Sequence, residues 1–154
     1  MTRAEAKYVL DTNVFIQGFR DSDANRELQR FHEAFAPFEY LSAVVVQELR
    51  AGVRTAEESR KLERHVLAPF LGVGRLITPS FRAWQTSGDV LAALGRREGL
   101  DVRTVTKAFG NDILLALSCR EVGMTLVSWN ARDFWRIQLV VPFRFLEPWP
   151  APVA

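Results

Sequence analysis

The chain of 154 residues suits one domain with a continuous core, and its 48% apolar and 25% charged residues exclude wholesale disorder. With 20 Lys plus Arg against 18 Asp plus Glu, the net charge of +2 is too small to argue for a nucleic-acid partner by itself. The single cysteine, Cys119, cannot close an internal disulfide. MTRAEAKYVLDT lacks a long apolar signal core, and no stretch approaches the roughly 18 apolar residues of a membrane span, so a soluble cytoplasmic protein with no membrane partner is expected.

Tyr8-Val9-Leu10 predicts the start of a buried strand, and Val14, Phe15, Ile16 and Phe19 have helical spacing. Asp23-Ala24-Asn25 opens a helix through Leu28, Phe31 and Phe35 that stops near Pro37. Phe38 to Leu41 predicts a short strand, Ser42 a cap, and Ala43 to Ala51 a helix closed by Gly52. Thr55 to Ala68 predicts another helix, with Leu62 and Val66 on one face and Pro69 near its end. Leu76-Ile77 is a short strand, and Thr78-Pro79 caps a helix through Phe81, Trp84, Leu91 and Leu94. GRREGLD, Gly95 to Asp101, predicts a loop before a long helix from about Thr104 to Val122. Met124 to Ser128 reads as a buried strand, and Leu139-Val140-Val141 as a short one ended by Pro142.

The pattern divides into a single domain over residues 1–147 and a tail over 148–154, where Pro148, Pro150 and Pro152 disfavour regular structure. Strands alternating with helices, without repeat or linker, predict an α/β domain around a mainly parallel sheet flanked by helices. Such sheets gather functional residues at the carboxyl ends of their strands. His32 and His65 are isolated and read as surface or packing residues.

Four acids stand in costly places. Asp11 follows the first strand directly, where it serves chemistry or caps the next helix. Glu48 lies on or beside the apolar stripe of its helix, near Val44 and Val45. Asp112 has Ala108, Leu115, Ala116 and Cys119 at helical spacing, so an unpaired carboxylate there would cost several kcal/mol or take up a proton. A helix beginning at Gly110-Asn111 would instead put Asp112 in a favourable first turn. Asp133 lies just past the strand ending near Ser128, in a segment that also reads as a turn before a capped helix.

Asp11 and Asp133 share the address of a strand's carboxyl end, and packed helices can bring Glu48 and Asp112 to it. Two carboxylates about 5 Å apart repel by roughly 3 kcal/mol at an effective dielectric near 20. A cluster of four makes sense around a hard divalent cation, and oxygen donors without His or Cys favour Mg2+ or Mn2+ over zinc. Cations held in this way serve phosphodiester hydrolysis, which suggests a metal-dependent nuclease.

YVLDTNVF, SAVVVQELRAG and GNDILLALSCREVGMTLVSWNARDF, in that order, resemble the PIN-domain ribonucleases, and most closely the VapC-type toxins of toxin–antitoxin pairs. The similarity spans roughly residues 7 to 147. It implies a PIN fold and a Mg2+ (or Mn2+) site formed by Asp11, Glu48, Asp112 and Asp133, with Thr12 and Asn130 assisting. Ser128 stands where a threonine is common and keeps the hydroxyl. The resemblance further implies an endoribonuclease that pairs with a VapB-like antitoxin, whose C-terminal segment crosses or blocks the acidic site, and that forms homodimers.

Arg96, Arg97, Arg103 and Lys107 form the most concentrated basic segment and are candidates for holding RNA backbone, although Glu98 and Asp101 dilute it. Trp129, beside the proposed site, stacks on a base or packs against the sheet, with packing favoured. Two other functions compete. One is a noncatalytic binding module whose acids organise an interface. The other is an aspartate phosphoacceptor, which is weakened because Asn13 stands where a DxD phosphohydrolase carries its second acid.

Overall fold

The computed structural model describes residues 6–150. The first residues of the N-terminal stretch and Pro152 lie outside them. Five parallel strands form one sheet, β1 (Tyr8–Leu10), β2 (Glu39–Ser42), β3 (Leu76–Ile77), β4 (Thr125–Val127) and β5 (Arg144–Leu146), in the spatial order β3-β2-β1-β4-β5. Tyr8 pairs with Glu39 on one side and Thr125 on the other. The chain thus leaves β1 in one direction and fills the other side of the sheet later, which makes the β1–β4 boundary a topological switch point. Such a boundary opens a crevice at the carboxyl ends of the strands.

Helices cover the sheet: α1 (Thr12–Arg20), α2 (Ser22–Phe35), α3 (Ala43–Ala51), α4 (Ala56–Leu62), α5 (Ala68–Leu71), α6 (Phe81–Glu98), α7 (Lys107–Val122) and α8 (Ala131–Gln138). β1 and β4 are buried along their whole lengths, as apolar runs in a doubly covered parallel sheet should be. Every residue of α7 from Asp112 to Cys119 is buried, because this helix packs against α6, α8, α3 and β4 together. α1 and α2 approach so closely at Gly18 that an added Cβ would stand 2.7 Å from Leu28 Cδ2.

The cap predicted at Ser42 is present, and Thr55 and Thr106 cap α4 and α7 in the same way. Ser42 Oγ accepts from Val44 N–H, Thr55 from Glu58 N–H and Thr106 from Phe109 N–H. α2 starts at Ser22, one residue before the predicted Asp23, and is capped by Asp21, which accepts from Ala24 N–H. Phe38 closes a 3-10 turn, so β2 starts at Glu39.

Several boundaries differ from the sequence reading. The helix predicted to end by Ala68 passes through a π turn at Glu63–Leu67 and continues to Leu71, because Pro69 lies in the first turn of α5, where a missing N–H costs little. α6 is capped by Ser80, whose Oγ accepts from Ala83 N–H, instead of by Thr78. It runs through Gly95 to Glu98 and ends where Gly99 takes φ +70°, which shortens the predicted GRREGLD loop to its last residues. The predicted strand Leu139–Val141 is the closing turn of α8. The N–H groups of these three residues bond to Arg136 and Ile137 carbonyls and are lost to the ladder, so the strand forms after Pro142.

Candidate active site

β1 and β4 end side by side, and the residues that follow them are joined. Asp11 N–H donates to Val127 O at 2.9 Å, and Ser128 Oγ donates to Asp11 Oδ2 at 2.7 Å. Asp11 also accepts from Thr12 N–H at 2.8 Å as the N-cap of α1. Its capping role and its place at the crevice are therefore one arrangement. Only 4% of Asp11 is exposed.

Around this pair the polar network is continuous. Thr12 Oγ1 donates to Glu48 Oε1 at 2.9 Å, tying the start of α1 to α3. Asn130, the residue before α8, donates from Nδ2 to Asp112 Oδ2 and to Asp133 Oδ2, both at 3.1 Å. Asn130 N–H in turn donates to Ser128 Oγ at 3.0 Å. The structure thus brings Asp11, Glu48, Asp112, Asp133, Thr12, Ser128 and Asn130 to one place, at the switch point of the sheet.

Two alternatives for individual acids resolve differently. α7 starts at Lys107, so Asp112 lies in its second turn and the first-turn dipole explanation does not hold. Asp133 does sit in the first turn of α8, and it belongs to the acidic cluster as well.

The electrostatics register the convergence. Burial is the main reason that the Asp112 carboxyl is pushed up to about 8, and the charges of Asp11, Glu48 and Asp133 add to it against the opposing bond from Asn130. Asp11 is raised to about 6, chiefly by burial and also by Glu48, while Ser128 and the Thr12 N–H pull the other way. Among the described residues, no three His, Cys, Asp or Glu side chains are drawn into a tight metal cage. The acids stand close enough to repel, and Thr12 and Asn130 each donate to two of them. An oxygen-only donor set that repels itself in a buried crevice fits a hard divalent cation, with Asp11, Asp112, Asp133 and Glu48 as the residues that could hold it.

Asn13 belongs to the site and was missed in the sequence. Its Nδ2 donates to Ser128 Oγ at 3.0 Å, and its Oδ1 accepts from Trp129 N–H at 3.2 Å, which fixes the turn after β4. The signal was the second polar residue after Asp11 in DTN, facing the site when a helical periodicity would leave it free to face water.

The basic segment is more dispersed. Arg103 forks onto Asp101, Arg97 reaches Leu139 O at 3.5 Å, and Glu98 is held by Arg136. Arg96 and Lys107 are exposed and form no ion pair among the described residues. Trp129 does not pack into the core: 45% of it is exposed. His32, read as isolated, has its Nδ1 at 2.6 Å from Glu39 Oε2.

A second feature adjoins the acids. A groove of about 950 Å³ between α1–α2 and the α4–α5 segment is lined by Phe15, Leu28, Leu62, Val66 and Phe70, and Glu48 is among its lining residues.

An α/β domain with a carboxylate cluster at the switch point of a parallel sheet is the class that this geometry defines. The sequence model of the PIN domain matches residues 8–138, and the chain belongs to the PIN domain family. Comparison with curated proteins returned no match. Solved structures share the fold. The VapBC structure bound to DNA from Salmonella typhimurium has 22% identity and TM-score 0.67, covering 93% of this chain and 98% of that one. FitAcB from Neisseria gonorrhoeae has 19% identity and TM-score 0.66, covering 94% and 99%. FitAB bound to the IR36 DNA fragment has 18% identity and TM-score 0.67, covering 94% and 96%. At these identities the likeness is one of fold. Among the described residues no helix is long and apolar enough to cross a membrane.

Proposed function

We propose that this PIN domain is a Mg2+- or Mn2+-dependent endoribonuclease and the toxin of a VapBC-like toxin–antitoxin pair. The observation that carries the reading is the convergence of Asp11, Glu48, Asp112 and Asp133 in one hydrogen-bonded network at the ends of β1 and β4. A buried acid surrounded by three like charges is unfavourable in isolation and favourable beside a divalent cation.

Asp11, Asp112 and Asp133 are the residues that would hold the cation, with Glu48 as a further ligand or as the group that orients the attacking water. A bound cation supplies positive charge that favours ionisation of water and offsets the charge gathering on the phosphodiester. The protein's part is positioning. Thr12 fixes one oxygen of Glu48 and leaves the other to accept a hydrogen bond from water. Ser128 and the Thr12 N–H hold both oxygens of Asp11 in place. Asn130 keeps Asp112 and Asp133 on the same side of the crevice. Arg96 and Lys107, exposed and without ion pairs among the described residues, are the members of the basic segment best placed to meet RNA phosphates. Because both oxygens of Asp11 accept hydrogen bonds and little of the residue is exposed, its use as a phosphoacceptor is disfavoured.

The partner is read from the relatives' complexes and from the groove. VapBC and FitAB are two-protein assemblies solved with DNA. In this chain the apolar groove that reaches Glu48 suits an antitoxin segment, which there would obstruct the acids. Self-association is assigned to α6, where Phe81 and Trp84 face solvent.

The test is cleavage of a total RNA pool by purified protein with Mg2+, with Mn2+ and with chelator, beside a folded Asp11→Asn control. Metal-dependent fragments that vanish in the control are expected. Full activity in that variant would sink the assignment.

A further inference from the structure

α8 links the acids to the basic segment. At its N-terminal end Asn130 and Asp133 belong to the acidic network. At its C-terminal end Arg97 reaches Leu139 O at 3.5 Å and Arg136 pairs with Glu98, so the close of α6, with Arg96 and Arg97, lies beside the close of α8. Ala131, Phe134 and Ile137 bury one face of this helix. Arg132 and Trp135, three residues apart, share the opposite face, and both are exposed, Trp135 to 56%. Arg132 forms no ion pair among the described residues. Trp129, just before the helix, is the third exposed side chain of this run. Its backbone is fixed, because its N–H donates to Asn13 Oδ1 while Ser128 bonds to Asp11 and Asn130 to Asp112 and Asp133.

We propose that Trp129, Arg132 and Trp135 form a track for single-stranded RNA, in which the two indoles stack on unpaired bases and Arg132 meets a phosphate, leading the strand from the acids to Arg96 and Arg97. The inference rests on the ribonuclease reading. Charge decides the occupant. The track offers one cation between its two indoles and two more at its far end, while Asp133 on α8 and Glu98 beside it are engaged by Asn130 and Arg136. An apolar protein segment laid there would desolvate the Arg132 guanidinium without pairing it. A strand of RNA meets both features at once, with phosphates for the cations and a π-face on every base for the indoles. Paired bases keep those faces inside the duplex, so the track takes single strands and rejects double helices.

The probe is a fluorescein-labelled single-stranded RNA of mixed sequence, used alone and annealed to its complement. Binding is read on the full chain carrying Asp11→Asn in Mg2+, and cleavage of the same RNA on the native chain in parallel. The single strand should bind more tightly than the duplex. Trp129→Ala and Trp135→Ala should each weaken single-strand binding by about fivefold or more and leave duplex binding unchanged. Trp129→Phe and Trp135→Phe should keep most of the affinity, since a phenyl ring still stacks, while each removes part of the tryptophan quenching that RNA produces. Arg132→Gln should flatten the slope of log affinity against log salt by about 0.7. Unchanged single-strand affinity in both Ala variants, beside metal-dependent cleavage by the native chain, would overturn the track and leave the ribonuclease standing. Ala variants that alter only self-association, followed by light scattering, would equally overturn it, because the stripe would then meet protein. Binding that depends on the two indoles without any cleavage by the native chain would uphold the track and overturn the ribonuclease; neither binding nor cleavage would overturn both.

Discussion

Ser128 Oγ donates to Asp11 Oδ2 across 2.7 Å and thereby joins the carboxyl ends of β4 and β1. The same hydroxyl accepts from Asn13 Nδ2 and Asn130 N–H, so one buried oxygen ties three residues together across the β1 and β4 ends. Ser128→Ala should lower unfolding free energy by about 1–3 kcal/mol, because it leaves buried donors unmet. Ser128→Thr, which keeps the oxygen, should retain cleavage where Ala loses most of it. Denaturant titration and RNA cleavage on the same preparations check both statements.

Asp112 gives a stability signal opposite to its effect on activity. Neutralising a buried carboxyl that has three acids around it removes repulsion, so Asp112→Asn should raise the Tm of chelated protein at about pH 8. Cleavage should fall by at least about 100-fold, since a ligand is lost. A variant that is both less stable and fully active would contradict the assigned role.

The pH dependence of stability has a definite sign. Asp11 at about 6 and Asp112 at about 8 lie above the ordinary 3.8, so the folded chain keeps protons that the unfolded chain releases. The stability from this preference is full below about pH 4 and is lost as pH rises through both folded values. Chelated protein should therefore lose Tm between about pH 5 and about pH 8.5, and added Mg2+ or Mn2+ should restore more at the upper end. A metal increment that is the same at both ends would count against these two acids as ligands.

Thr12 tests orientation separately from charge. Thr12→Val keeps volume and removes the donor to Glu48 Oε1, so the acid remains and its aim is lost. Cleavage should drop by about tenfold or more at saturating substrate, with Tm changed little and Thr12→Ser restoring most of the rate. An equal loss in the Val and Ser variants would mean that the methyl, and not the hydroxyl, matters.

Legibility in the sequence followed the range of the interaction. Ser42 acts on an N–H group two residues away, so its cap could be read directly. Asp11, Glu48, Asp112 and Asp133 were visible because acids in apolar surroundings are expensive wherever the chain goes. What escaped depended on distant partners. Asn13 bonds to Ser128, 115 residues later. Glu39, charged and at the start of a strand, would be assigned to the surface until His32 of α2 is seen to meet it. The last strand was misplaced because Leu139–Val141 is apolar enough for a ladder, yet its N–H groups were already taken by α8. Gly95 and Gly99 punctuate the same run, and only the second adopts the left-handed conformation that ends a helix.

One helix serves both the acids and the groove. α1 carries Asp11, Thr12 and Asn13 at or before its first turn, and lines the groove with Phe15, Ile16 and Phe19 farther along. At about 1.5 Å per residue its nine residues make a rod roughly 13 Å long, too short to bend appreciably. Gly18, pressed against Leu28, clamps the far end of that rod to α2. The wall of the groove and the scaffold of the acids are thus one short rod, and a substitution along its apolar side is made in the same element that presents Asp11, Thr12 and Asn13.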